Sequence, residues 1–138
     1  MEFSSLLREQ VTEKLIESGI NPTRQRLEIG MCLFERDKHV SADQLLELVN
    51  STCGEVSKAT VYNTLGLFAG NGLVREVVVN PSKVVYDTNV SDHHHIYNID
   101  SGDLTDIESS DLSLTHLPQV DENTQIDGVD IIVRVRNI

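Results

Sequence analysis

Ser57-Lys58-Ala59-Thr60-Val61-Tyr62-Asn63-Thr64-Leu65-Gly66-Leu67-Phe68, stopped by Asn71-Gly72, reads as a helix. Val61, Leu65 and Phe68 recur at helical spacing, Ser57 stands in the N-cap position, and Asn-Gly is a helix-stop signal. The period then changes. Leu73 to Val79 and Lys83 to Thr88 are rich in β-branched residues and are joined by Asn80-Pro81-Ser82, a turn signal, which predicts a hairpin. Helices running into a two-stranded hairpin make a winged helix-turn-helix.

Three further helices are expected upstream. Between Leu6 and Ile16, Leu7, Val11 and Leu15 recur every fourth position before Gly19. Pro22 and Thr23 open the next helix, for which Leu27, Met31 and Phe34 are the predicted buried stripe. Ser41-Ala42-Asp43-Gln44 fits a capping box, and Leu45, Leu48 and Val49 follow at helical spacing. The loop from Cys53 to Val56 is longer than in a tight helix-turn-helix.

After Thr88 a second unit begins. His95 to Ile99 and Leu104 to Ile107 read as strands separated by Ser101-Gly102, Leu112, Leu114 and Leu117 suggest a short helix, and Val129 to Val135 is an alternating third strand. So short a segment cannot easily cover both faces of a three-stranded sheet, so pairing with a second copy is expected, giving a homodimer or a larger homo-oligomer. The expected architecture is α+β. An N-terminal winged helix-turn-helix for DNA binding occupies residues 1–88, and a small α/β dimerisation domain that also senses metal or haem occupies residues 89–138.

With 138 residues, 39% of them hydrophobic, the chain can build a core. No stretch approaches the roughly 20 apolar residues of a membrane span, and Met1-Glu2-Phe3-Ser4 lacks the basic and apolar regions of a secretory signal, so the protein is read as cytoplasmic, with no membrane partner. Cys32 and Cys53 form no CxxC pair, and Cys32 is assigned to core packing. The net charge of -11 is uneven: residues 1–90 hold nine Lys and Arg against twelve Asp and Glu, whereas residues 91–138 hold two against ten. Binding of double-stranded DNA by the first half is therefore not excluded. With Val61, Leu65 and Phe68 turned inward, Lys58, Ala59, Tyr62 and Asn63 can face outward, with Lys58 near phosphate and Tyr62 and Asn63 near bases, and Thr60 is also assigned to DNA binding. Arg24, Arg26, Arg75 and Lys83 add phosphate contacts.

The second half carries His93-His94-His95, six residues after Asp87. On an extended strand His93 and His95 project to one side and His94 to the other, so two imidazoles converge. Imidazole and carboxylate without thiolate suit Fe²⁺, Mn²⁺ or Zn²⁺, and imidazole alone can hold haem iron axially. An alternative assigns Asp87, His93 and His95 to the two-His-one-carboxylate triad of a non-haem iron enzyme, which would need a closed barrel that the few strands here do not supply.

Asn21-Pro22-Thr23-Arg24-Gln25-Arg26, His39-Val40-Ser41-Ala42, Ala59-Thr60-Val61-Tyr62-Asn63-Thr64-Leu65 and the cluster from Asp87 to His95 resemble the ferric uptake regulator family, over nearly the whole chain. Tyr86 to Val90, the histidine triplet and the ending Val129 to Arg136 are most similar to its iron response regulator branch, Irr. The resemblance implies a non-enzymatic transcriptional regulator, mainly a repressor of iron and haem metabolism genes, acting as a dimer on a palindromic operator. It implies a metal site of His39, Asp87, His93, His95 and Asp106, tying the two domains together, and haem binding by His93, His94 and His95. Asn98 and Ser101 occupy the first paired-cysteine positions of many relatives, so no four-cysteine structural zinc is expected.

Overall fold

The computed structural model describes residues 3–108 and 110–138. Met1 and Glu2, part of the start read above for a signal, lie outside them. The chain divides into two compact units, one running to Val90 and the other from Ser91 to Ile138.

The first unit begins with α1 (Ser5–Glu17) and α2 (Arg24–Phe34), followed by the short strand β1 (His39–Val40), then α3 (Ala42–Thr52) and α4 (Lys58–Gly70). Each helix opens on a hydroxyl N-cap, Ser4, Thr23, Ser41 and Ser57, whose side-chain oxygen accepts a backbone N–H in the first turn. At Ser41 the full capping box forms, since Gln44 Oε1 also accepts the Ser41 N–H at 2.9 Å. Val61, Leu65 and Phe68 of α4 are fully buried, as their spacing requires. In α2 the stripe differs from expectation. Ile29, Cys32 and Leu33 are fully buried while Leu27 and Phe34 are only partly so, because α2 packs against α1, α3 and α4 and needs a wide apolar face.

The wing carries three strands rather than the two of a hairpin. Strands β2 (Arg75–Asn80) and β3 (Lys83–Asp87) pair antiparallel, and β1 adds on the far side of β3, giving the order β1-β3-β2. Two residues are too few to show periodicity, which is why β1 escapes a sequence reading. Its pairing is extended by the Lys38 N–H, which donates to Thr88 Oγ1 at 3.0 Å, and by the Thr88 N–H, which donates to the Lys38 carbonyl at 3.2 Å. The contiguous apolar core, from Val11 to Tyr86, lies in this unit.

The second unit holds β4 (His94–Asn98), β5 (Leu104–Ile107) and β6 (Ile132–Val135) in the order β5-β4-β6, with β6 parallel to β4. The helix expected at Leu112, Leu114 and Leu117 is not formed. Pro118 disfavours a helical conformation at Leu117, and Leu114 and Leu117 stay exposed, so no apolar face rewards one. Among the described residues of this unit only His95 and Tyr97 are buried. At the β4–β5 turn, Asn98 Oδ1 accepts the N–H groups of Asp100 and Ser101 at 2.9 and 3.1 Å, and Asn98 Nδ2 donates to Asn137 Oδ1 at 2.9 Å. Hydrogen bonds thus close the turn where the resemblance would put zinc thiolates. No described helix is long and apolar enough to cross a membrane.

Candidate metal centre and DNA-facing surface

Within the first unit, the register of β1 against β3 sets His39 directly opposite Asp87. His39 Nε2 and Asp87 Oδ2 are 3.1 Å apart, and the carboxylate is almost wholly buried. Its other oxygen, Oδ1, accepts the Asn89 N–H at 2.9 Å, which fixes the carboxylate's orientation. On the opposite side of β3, Arg75 is the register partner of the same residue, so His39, Asp87 and Arg75 form one row across the sheet.

Within the second unit, the pairing of β4 with β5 sets His95 opposite Asp106. The Nε2 atoms of His93 and His95 each lie 3.3 Å from Asp106 Oδ1, with the two rings 4.5 Å apart between centroids. The expected alternation therefore holds for these two side chains. His93 Nδ1 lies 2.6 Å from the carbonyl oxygen of Ser91, an acceptor, so Nδ1 carries the proton. In the neutral ring the Nε2 lone pair then faces a carboxylate oxygen. Two acceptors facing each other repel unless a proton or a metal cation sits between them, and a ligating histidine characteristically gives its other N–H to a backbone carbonyl. This donor set fits a divalent cation by its chemistry and by its tautomer.

His94 is arranged the other way. Its Nδ1 accepts the Ile131 N–H at 3.0 Å, which leaves the proton of the neutral ring on Nε2. An Nε2–H is a donor and not a ligand. His94 lines a cavity of about 400 Å³ with His93, Leu112, Leu117, Ile126 and Val129.

The DNA-facing candidates fall into separate places. Lys58 Nζ lies 3.3 Å from Asp43 Oδ1 and 5.5 Å from the centre of the Tyr62 ring, while the Tyr62 hydroxyl donates to Asp43 Oδ1 at 3.4 Å. Tyr62, Asp43 and Lys83 line one open cavity of about 400 Å³ between α4, the start of α3 and the wing. Asp43 was not singled out in the sequence, where it is one of many surface acids. Thr60 closes the first turn of α4, with its hydroxyl 2.8 Å from that of Ser57, and Asn63 is exposed on the same helix. Arg24 is exposed and paired with Glu28 at 3.0 Å. Arg26 donates to the Asn21 carbonyl at 2.9 Å, bracing the turn between α1 and α2. Arg75 is not brought together with Lys83: it lies at the base of the wing, beside a cavity under the C-terminal end of α4.

Comparison with known proteins agrees with this architecture. The chain is 30% identical over 118 residues, 86% of its length and 73% of theirs, to the peroxide-responsive repressor PerR of Staphylococcus epidermidis. It is 31% identical over 117 residues, 85% of its length and 75% of the relative's, to the peroxide operon regulator of Bacillus subtilis. These relatives are transcriptional regulators and not enzymes. The solved ferric uptake regulator of Vibrio cholerae shares the fold, with a TM-score of 0.70 at 21% identity, over 91% of this chain and 98% of that one. The sequence model of the ferric uptake regulator family matches residues 17–134, and the chain belongs to that family.

Proposed function

We propose that the protein is a metal-responsive transcriptional repressor that binds double-stranded DNA as a homodimer, with α4 as its recognition helix. His39 and Asp87 from the first unit and His93, His95 and Asp106 from the second act together on one divalent cation, with Fe²⁺ favoured by the similarity to the iron response regulator branch and Mn²⁺ or Zn²⁺ also suited to the ligands. The observation that carries this reading is the approach of two imidazole Nε2 atoms to one Asp106 oxygen, with the His93 tautomer held ready by Ser91. Only residues 88–92 separate Asp87 from His93, so at about 3.5 Å per residue the tether between the two donor sets is short.

A divalent cation would supply the positive charge that the Asp106 oxygen and the two Nε2 lone pairs facing it lack. The protein's own contribution is orientation. Asp87 is fixed by the Asn89 N–H and Asp106 by its place in β5, so binding a shared ion links the posture of the two units to occupancy. In a dimer this alters the spacing of two recognition helices, which a palindromic operator with half-sites about 34 Å apart accepts or rejects. Residues 1–88 form the DNA-binding part and residues 89–138 the dimerising and sensing part. The exposed Leu114, Leu117, Val133 and Val135 are the apolar surface that a second copy covers. Such a role places the protein in the cytoplasm, on iron and haem metabolism genes.

Haem is the less favoured ligand of the two considered. His94 would have to give up its bond with Ile131 to present a lone pair, whereas His93 and His95 serve a divalent ion as they stand. The test is selection of duplexes from a random pool by the full-length protein, with and without Fe²⁺ or Mn²⁺, followed by anisotropy on the selected duplex. Metal-dependent affinity for a palindrome supports the reading. Equal affinity for all sequences in both states overturns it.

A further inference from the structure

Cys32 and Cys53 are free thiols with their Sγ atoms 3.8 Å apart. They come from different elements: Cys32 lies inside α2, wholly buried, while Cys53 is the half-buried C-cap residue of α3. Neither belongs to the donor sets described above. We propose that Cys32 and Cys53 are a redox site, converted by a hydroperoxide to an intramolecular disulfide that clamps α2 to the turn leading into the recognition helix.

The mobile partner is Cys53. It follows the last residue of α3 and precedes Gly54, whose φ of +111° marks a sharp change of chain direction. The turn it opens is held by the Val56 N–H, which donates to Asn50 Oδ1 at 2.8 Å, and it ends at Ser57, the cap of α4. A disulfide bond is about 2.05 Å long, so closing it draws the sulfurs together by nearly 2 Å, and a helix end yields more readily than the middle of α2.

The roles follow from exposure. Burial pushes both thiols up, Cys32 to about 12, and the hydrogen bond from Cys32 partly offsets this for Cys53. Cys53, the half-exposed sulfur with a neighbouring S–H to stabilise its thiolate, therefore meets the oxidant. Its thiolate attacks one oxygen of the hydroperoxide, the O–O bond breaks, and an alcohol or water leaves, giving the sulfenic acid. Cys32 Sγ then attacks Cys53 Sγ. The S–O bond breaks, and the hydroxide takes the Cys32 proton and leaves as water. Two thiols lose two electrons and the peroxide gains them. Because both thiols are held protonated, the reaction is slow and answers sustained oxidation, as suits a transient intracellular disulfide.

The experiment treats the full-length protein, kept in a metal chelator, with hydrogen peroxide at neutral pH. The expected product has lost two hydrogens by intact mass, has no titratable thiol after denaturation, yields a Cys32–Cys53 linked peptide, stays uncrosslinked between chains, and is restored by dithiothreitol. Amide exchange over residues 53–61 slows in the oxidised form. In Cys32→Ala the reaction halts with one or two oxygens added at Cys53, and in Cys53→Ser the buried Cys32 is unchanged; the second variant alters a half-exposed residue and keeps its fold. Oxidation of the parent to a sulfinic acid at Cys53 with Cys32 still free, an interchain disulfide, or unaltered exchange over residues 53–61 overturns the proposal.

Discussion

His39 and Asp87 are 48 residues apart in the chain yet face each other across one antiparallel register, with 3.1 Å between imidazole Nε2 and carboxylate Oδ2. A two-residue strand makes this juxtaposition, and β3 holds Asp87 between two neighbours so that it cannot slip. The carboxylate is held on both oxygens, since Oδ2 faces His39 and Oδ1 accepts the Asn89 N–H.

Asp87→Asn keeps the shape and the acceptor for Asn89 but removes the charge. The expected outcome is a loss of divalent-metal affinity of at least about 10- to 100-fold, with the helical fold retained. Titration calorimetry with Mn²⁺, which avoids oxidation, measures it. Unchanged affinity would remove Asp87 from the ligand set.

Asp43 holds both Lys58 and Tyr62 in the free protein, and all three are exposed. Bringing a duplex to α4 sets the Lys58 ammonium between this carboxylate and a phosphate. Asp43→Asn should therefore strengthen DNA binding, by less than about 1 kcal/mol because exposed ion pairs are weak. Lys58→Ala should weaken all sequences alike and reduce the salt slope by about one, while Tyr62→Ala should cost about 1–3 kcal/mol and relax sequence preference. Anisotropy across a salt series separates these outcomes. A weaker Asp43→Asn complex would mean that Asp43 positions Lys58 for DNA and does not compete for it.

The helical unit was legible because its signals are local. Ser41 with Gln44, Ser57 with the stripe Val61, Leu65 and Phe68, and the Asn80-Pro81-Ser82 turn each act within a few residues, and each is found as expected. What was not legible depends on partners distant in sequence. The wide buried face of α2 reflects three neighbouring helices, β1 exists only because β3 offers an edge, and His95 meets Asp106 through a register that no single strand encodes. Leu112, Leu114 and Leu117 misled for the same reason, since an apolar spacing forms a helix only where something covers it. His94 shows the limit for the site: strand alternation turns it away from His93 and His95, but no local signal reveals that the Ile131 N–H occupies its Nδ1.

Gly30 of α2 faces Val11 of α1. A Cβ there would stand 2.7 Å from Val11 Cγ1, and Val11 is buried and β-branched, with little freedom to move. Gly30→Ala should destabilise the first unit by about 1–3 kcal/mol despite the better helix propensity of alanine. Chemical denaturation followed by circular dichroism measures it, and a stabilised variant would show that α1 shifts freely on α2.

The Cys32 thiol, raised by burial from its ordinary 9.0 to about 12, makes a stability prediction in alkali. The folded state keeps a proton that the unfolded chain loses, so this contribution is intact below about pH 9 and disappears as pH rises through about pH 12. Stability should fall across that window, and Cys32→Ala should fall less steeply there. Denaturant midpoints at several alkaline pH values give the comparison; parallel curves for parent and variant would count against the burial of the thiol.

His93, His94 and His95 are adjacent, and the three single alanine variants should nevertheless differ in kind. His93 keeps its proton on Nδ1 through the Ser91 carbonyl and points Nε2 at Asp106, and His95 points its Nε2 at the same oxygen from the facing strand. Removing either would take one lone pair from a bound cation, so His93→Ala and His95→Ala should each weaken divalent-metal binding by more than about tenfold. His94 has its Nδ1 occupied by the Ile131 N–H and offers only a donor on Nε2, so His94→Ala should leave metal affinity within about twofold, while loosening the join between β4 and the segment before β6. The same set read with haemin gives the opposite order if haem is held by His94, because the ring must then turn away from Ile131. Loss of divalent-metal binding in His94→Ala equal to that in His93→Ala would show that the Ile131 bond does not persist in the metal-bound protein, and the assignment of ligands by tautomer would fall with it.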